Sequence, residues 1–465
     1  MSFSSQAILL PIIIIFIYYL IKSHKPPSED RKAKQQLPPG PKPWPVIGCL
    51  PAMLTNKPTF RWINNLMKQM DTEIACVRIG NVHVIPVSCP KISCEFLKAQ
   101  DSNFATRPIT MSTRVTSKGY LTTVLTPYGD QWKKMKRILV TQMLSPAKQL
   151  WFSGKRVEGA DHLVRYVYKQ CSEGGLVDVR IAARHYCGNV IRKMVFNKRF
   201  FGKGKKNGGP GFEEAEHVDA LFRILDYSFS FCLSDYLPCL EGFDLGGHEK
   251  IIKEANGIIG KYHDPIIEDR VQQWKDGTKK EEEDLLDVLI TLKDDNGNPL
   301  LSTDEIKAQI TLVQEKPFAS TLFRHSIFLI TDTTLENYYI PKGSHALLSR
   351  VGLGRNPKVW DEPHKFKPER HIKNDGSGVT LTEPDLRFIS FSTGRRGCAG
   401  VTMGTSITLM LFARLLQGFT WNVPRNETSI DLKESESDLT LAKPLVLLAK
   451  PRLPAFVYDQ IMHDN

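Results

Sequence analysis

A chain of 465 residues with 41% hydrophobic and 24% charged residues can bury a sizeable core, so disorder is excluded as its default state and one large or two medium domains are expected. The nine cysteines are odd in number, scattered, and never form Cys-x-x-Cys. That pattern argues against a disulfide framework or a zinc site and for small buried hydrophobes in a reducing compartment. The net charge of +12 suits an anionic membrane surface, an acidic protein partner, or equally a set of lysine-rich solvated loops; no nucleic-acid partner is expected.

The first element is apolar. Ala7 to Ile21 carries no charge, and counting from Phe3 gives 19 residues, about 28 Å of helix and enough for a thin bilayer. Lys22, His24 and Lys25 follow the run, and no Lys or Arg precedes it. The positive-inside bias therefore predicts a single-pass anchor over residues 1–25 with the rest of the chain cytosolic. A cleaved signal peptide would need a basic n-region and a small-residue cleavage site, and neither is present. Residues 26–50, with LPPGPKPWPVIG at 37 to 48, read as a stiff proline-rich linker, which leaves 51–465 as the globular domain.

Beyond the linker, the pattern predicts a helix near Thr59 to Met70, then EIACVRIG and VHVIPV as strands joined at Gly80-Asn81, a hairpin signal. Helical patterns then dominate. GKGKKNGGPG (202 to 211) and KDGTKKEEED (275 to 284) read as solvated loops. The first lacks the order of a phosphate loop, and Val351-Gly-Leu-Gly-Arg lacks a third glycine. Ser302-x-x-Glu305 reads as a capping box opening a helix from Thr303 to Glu315, about 20 Å long, which Pro317 ends. Asp332-Thr333-Thr334 reads as strand. The expected fold class is mainly α with a minor β-sheet, without internal repeats.

The chemistry concentrates in FSTGRRGCAG, residues 391 to 400. The run after it is apolar on nearly every face and ends at Gly418, a buried helix whose N-terminus lies beside Cys398. A helix N-terminus favours thiolate, and Arg395 and Arg396 add positive charge, so the sulfur is suited to act as a nucleophile or a metal ligand. Gly394 and Gly397 allow a tight backbone, and Gly400 leaves room for something bulky at the helix start. A flat macrocycle fits that space.

This stretch resembles the Phe-x-x-Gly-x-Arg-x-Cys-x-Gly signature of the cytochrome P450 family through Phe391, Gly394, Arg396, Cys398 and Gly400. The resemblance implies haem (heme, iron protoporphyrin) with Cys398 as its axial ligand, Phe391 packed over the sulfur and Arg396 on a propionate. A thiolate on haem iron pushes electron density toward bound oxygen and favours cleavage of the O–O bond. YGDQWKKMKR (128 to 137) resembles the family's Trp-x-x-x-Arg helix, with Trp132 in place, Lys136 where arginine is usual and Arg137 one step on. FKPERH (366 to 371) resembles the Pro-Glu-Arg-Phe segment with histidine last.

A narrower likeness runs through DEIKAQIT, YIPKGSHALLSRVGLGRNPKVWDEP, SFSTGRRGC and LVLLAKPRL, which are similar to the plant amino-acid N-hydroxylases, the aldoxime-forming branch. It implies an amino-acid substrate hydroxylated twice on nitrogen, then losing water and carbon dioxide. It also implies electrons from NADPH-cytochrome P450 reductase, at the endoplasmic reticulum membrane. In that branch alanine is usual where Gly400 stands.

The chain departs from the family near residues 311–337. The helix from Thr303 is too short for the family's long central helix, which crosses the distal face of the haem and carries the groups that handle oxygen. No Glu-x-x-Arg occurs anywhere, and Thr321-Leu-Phe-Arg324 resembles its remnant, which would leave Arg370 without its carboxylate. The expectation is a deletion of most of the central helix and the Glu-x-x-Arg region, with the oxygen-activating residues among those lost. A non-catalytic truncated remnant is then the alternative to an active monooxygenase.

Overall fold

The computed structural model of the protein describes residues 36–205, 209–228, 231–240, 242–315, 325–372, 378, 385–425, 427–436 and 440–463. The chain forms two compact units. The first is assembled from the described residues of Met1–Pro108, Leu233–Phe243 and Arg324–Arg395; the second from those of Ile109–Cys232, Asp244–Phe323 and Arg396–Asn465.

The first unit is built on a four-stranded sheet. The expected hairpin forms as Val77–Ile79 and Val82–Val87, antiparallel about Gly80. Gly80 has φ +54°, and a Cβ there would lie 2.0 Å from the Tyr236 carbonyl oxygen, so the turn requires glycine. His345–Leu348 pairs parallel with Val82–Val87 and antiparallel with His325–Phe328. Thr333–Leu335 pairs with Tyr338–Ile340 as the expected strand. Helix Thr59–Gln69 ends within a residue of its expected bound. Ile85, Val87, Phe96, Leu335, Ile340 and Leu348 form the core beneath the sheet.

From Gln36 onward the stretch expected as linker is docked on this sheet. The Gln36 carbonyl accepts from the Tyr339 amide at 3.0 Å, the Pro39 carbonyl from Cys76 at 2.8 Å, and the Cys49 amide donates to Arg78 at 2.6 Å. A Cβ at Gly40 would fall 1.9 Å from the Cys76 oxygen. Prolines here supply backbone that is already extended, and carbonyls free to accept. The anchor expected over residues 1–25 lies outside the described residues; among those described, no helix is long and apolar enough to cross a membrane.

The second unit is helical. Ser153–Ser172, Val179–Phe196, Leu285–Thr291, Thr303–Glu315 and Val401–Gly418 share one core, in which Phe152, Tyr186, Ile191, Leu286, Ile310, Leu411 and Tyr458 are buried. Phe212–Ser228 and His248–Lys275 pack together through Leu221, Ile224, Ala255 and Ile259. A three-stranded antiparallel sheet joins Leu176–Asp178, Val446–Pro451 and Phe419–Asn422. The mainly helical reading with a minor sheet therefore holds.

Helix Thr303–Glu315 has the expected bounds. Residues 308 to 314 are all buried, including the polar Gln309, Thr311 and Gln314. Pro317 and Thr321 to Arg324 lie outside the described residues.

The cysteines are less buried than their composition predicts. Cys49, Cys76 and Cys232 are buried, Cys239 is exposed and the other five are half-buried; all nine are free thiols.

Candidate functional site

The cysteine loop is fixed at both ends. In the first unit Gly394 takes φ +70°, where a Cβ would lie 2.3 Å from the Leu97 carbonyl oxygen, so glycine is required for this close approach. The next amide, of Arg395, donates to Asp101 Oδ2 at 3.1 Å, and its guanidinium reaches Asp101 Oδ1 at 3.6 Å. A carboxylate therefore stands beside the Arg395 charge that was expected to act at the sulfur. Phe391 is half-buried in this same stretch.

In the second unit Cys398 is half-buried, two residues ahead of Gly400, the N-cap of Val401–Gly418. Gly400 is not sterically required: an added Cβ would meet Cys398 Sγ at 3.9 Å, an ordinary contact.

Arg396 lies over Trp132, its guanidinium carbon 4.6 Å from the ring centroid, and its Nη2 donates to the Thr126 carbonyl at 2.9 Å. Lys136, one turn along helix Asp130–Ile138, places Nζ 4.9 Å from the same ring. Two cations thus meet one buried indole, each attracted by its face, with the Tyr128 ring 5.1 Å from it. Arg137 is exposed, so of the two cations expected near a propionate it is Lys136 that joins Trp132 and Arg396. Trp132 is both a core aromatic, 6% exposed, and the platform for these charges.

Arg370 is expected to lack its carboxylate. Instead its Nε donates to the Lys367 carbonyl at 3.2 Å and its Nη2 to the Glu362 and Lys365 carbonyls at 3.3 Å, with the guanidinium 5.8 Å from the Trp360 ring. It is only half-buried. Local carbonyls and solvent therefore meet its charge, and the cost of an abandoned buried ion does not arise.

The donor set fits haem. A bare metal ion needs several protein ligands, and among the described residues no group of three His, Cys, Asp or Glu side chains is placed to hold one. An iron already held in a macrocycle needs one strong axial ligand, the part a half-buried free thiol such as Cys398 would fill. The macrocycle's two carboxylates need cations, and Arg396 and Lys136 stand together on Trp132.

The family profile described as Cytochrome P450 matches residues 38–314 and 316–449. The chain belongs to the cytochrome P450 family. It is 50% identical over 520 positions to a phenylalanine N-monooxygenase of Prunus mume, covering 96% of this chain and 97% of that one. It is 50% identical over 512 positions to isoleucine N-monooxygenase 1 of Lotus japonicus, covering 96% of each. A tyrosine N-monooxygenase of Sorghum bicolor is 48% identical over 489 positions, covering 91% of this chain and 88% of that one. As a member of this family the chain is a haem-thiolate monooxygenase. Sequence reasoning missed the Thr126 carbonyl and Asp101 as anchors of the loop. Neither carries a local pattern, since each acts across more than 260 residues of chain.

Proposed function

We propose that this cytochrome P450 acts on an amino acid at its amino nitrogen, adding oxygen twice so that loss of water and carbon dioxide leaves an aldoxime. The reading is carried by the Cys398 loop in a chain half identical to relatives named for N-monooxygenation of phenylalanine and isoleucine. Bound haem supplies oxygen activation. In this chain Cys398 supplies the axial thiolate, while Trp132, Lys136 and Arg396 hold the carboxylate edge. Electrons come from a flavoprotein reductase using NADPH, and the anchor at residues 1–25 keeps both proteins on the cytosolic face of the endoplasmic reticulum.

The substrate wall is proposed to be incomplete. Two observations support a deletion between about residues 311 and 337. The family match breaks at Glu315. A 520-position comparison set against a 465-residue chain also leaves at least 55 positions of the Prunus relative, 520 less 465, opposite no residue here.

The test is spectroscopic first. Full-length protein, reduced and exposed to carbon monoxide, is expected to show the red-shifted Soret band of a thiolate-ligated haem, and Cys398→Ser to lose it while Cys89→Ser and Cys94→Ser keep it. A thiolate band that survives Cys398→Ser removes the assignment. A panel of phenylalanine, tyrosine, tryptophan, valine, isoleucine and methionine, assayed for aldoxime with the deletion refilled, then identifies the substrate.

A further inference from the structure

The capping box at the start of Thr303–Glu315 does more than begin a helix. Glu305 Oε2 accepts from the Ser302 amide at 2.9 Å, and the Glu305 amide donates to Ser302 Oγ at 3.2 Å, as such a box requires. The same carboxylate also accepts from Gln131 Nε2 at 2.8 Å and from Lys134 Nζ at 2.8 and 3.0 Å. One turn on and on the same helix face, the fully buried Gln309 accepts through Oε1 from Thr123 Oγ1 at 3.0 Å.

These two side chains grip both ends of one short strip, Thr123 to Lys134. Between the grips lie the Thr126 carbonyl, which holds Arg396, and Trp132, which Arg396 overlies. Thr126 is itself fixed inside the strip, its hydroxyl donating to the Tyr120 carbonyl at 2.8 Å. Burial alone would raise the pKa of Glu305, but the hydrogen bonds from Lys134, Ser302 and Gln131 outweigh it and hold the carboxyl below its ordinary range. It is therefore ionised at neutral pH, and its bonds are of the stronger, charge-assisted kind.

We propose that Glu305 and Gln309 are positioning residues for the haem-binding loop, fixing the strip from which Trp132 and the Thr126 carbonyl aim Arg396 two residues ahead of Cys398. The proposal rests on the reading of Cys398 and Arg396 as haem contacts. It gives the helix a task apart from oxygen handling, one that its surviving half still performs.

The experiment uses the full chain with Glu305→Gln, Glu305→Asp, Gln309→Ala and, as a control, Asp130→Asn, whose carboxylate pairs with Lys133. Hydrogen exchange without haem is read over segments 122–138 and 401–418, and hemin affinity from the thiolate Soret band. Glu305→Gln and Gln309→Ala are expected to speed exchange across 122–138 about tenfold and to leave 401–418 unchanged. Glu305→Gln is expected to raise the hemin Kd about tenfold, with Glu305→Asp recovering most of the loss and Asp130→Asn showing none. Because Glu305 acts through Trp132, Glu305→Gln combined with Trp132→Phe should cost less than the product of the two single effects. Unchanged exchange in 122–138, or fold-changes that simply multiply, overturns the proposal. If the unmodified chain takes up no hemin through a thiolate, the haem reading fails, and the exchange measurement still decides whether Glu305 and Gln309 hold the strip.

Discussion

Arg396 holds its guanidinium carbon 4.6 Å from the Trp132 ring centroid, over the ring, and its Nη2 donates to the Thr126 carbonyl. Both partners are neutral, so neither cancels the charge, and Lys136 on the same ring adds a second cation. Stacking orients a planar group, which a lysine cannot reproduce. Two cations are therefore held on one ring.

That arrangement predicts an order of effects in hemin titration. Arg396→Lys loses the planar guanidinium over the ring together with its bond to Thr126, and should raise the Kd about tenfold. Trp132→Phe keeps an aromatic face but a weaker one, and should raise it roughly threefold. Gly400→Ala, whose new methyl meets only Cys398 Sγ within 4 Å among the described residues, should stay within about twofold. A Gly400→Ala effect larger than that of Arg396→Lys would show that the loop is limited by space at the helix start.

A second cluster, remote in sequence from the loop, sets how the fold responds to acid. His217 and His263 bring their Nε2 atoms within 2.9 Å of each other, and both rings are buried. Burial, with smaller effects from Lys118 and Arg192, lowers His263 to about 3, and burial and His263 lower His217 as well. An unfolded histidine takes its proton near pH 6.5, so below that pH the unfolded chain binds protons that the folded chain refuses. Stability from this pair is present above about pH 6.5 and is lost as pH falls toward about 3. In urea titrations, His263→Gln should flatten the slope of stability against pH between 6 and 4 by up to about 1.4 kcal/mol per pH unit, one proton's worth. An unchanged slope would mean that this ring is protonated in the folded chain. Glu214, raised by burial to about 7 despite its ion pair with Arg192, acts in the opposite sense; its contribution is lost as pH rises from about 4.5 to 7. The slope difference between variant and parent isolates the histidine.

The hairpin about Gly80, the ends of Thr303–Glu315 and the stop at Gly418 were legible because each is encoded locally, by a turn glycine, a capping box or a terminal glycine. The cysteine loop was legible because a thiolate site concentrates unusual residues in ten positions. Asp101 beside Arg395 and the grip of Glu305 on Gln131 and Lys134 were not. An aspartate 294 residues away from its partner looks like any solvated charge until the chain has folded. Arg370 reads in sequence as an ion without its carboxylate, and the pattern gives no sign that carbonyls a few residues off in the chain bond it.

The proposed anchor is tested by fractionation. An uncharged run with basic residues on its C-terminal side favours insertion with the bulk of the chain in the cytosol. Deleting residues 1–25 should move most of the protein from microsomes to the soluble fraction. Glycosylation at Asn426-Glu-Thr428 of the full-length chain would instead require a lumenal domain and reverse the orientation.

The last expectation concerns the deletion. Oxygen chemistry at a haem needs protons delivered by groups within hydrogen-bond reach, in a pocket that excludes bulk water. Helix Thr303–Glu315 spans about 20 Å at 1.5 Å per residue, and its last turns place Gln309, Thr311 and Gln314 in buried positions. Refilling the chain between Ile310 and Tyr338 with the corresponding block of the Prunus or Lotus relative should therefore restore both the distal wall and proton delivery. With reductase and NADPH, the refilled protein should form aldoxime from one or more of the six amino acids at least a hundredfold faster than the 465-residue chain, about 2.7 kcal/mol in the barrier. The unmodified chain should divert its electrons to peroxide. Equal aldoxime rates from the two proteins would show that the 465-residue chain already closes its own pocket.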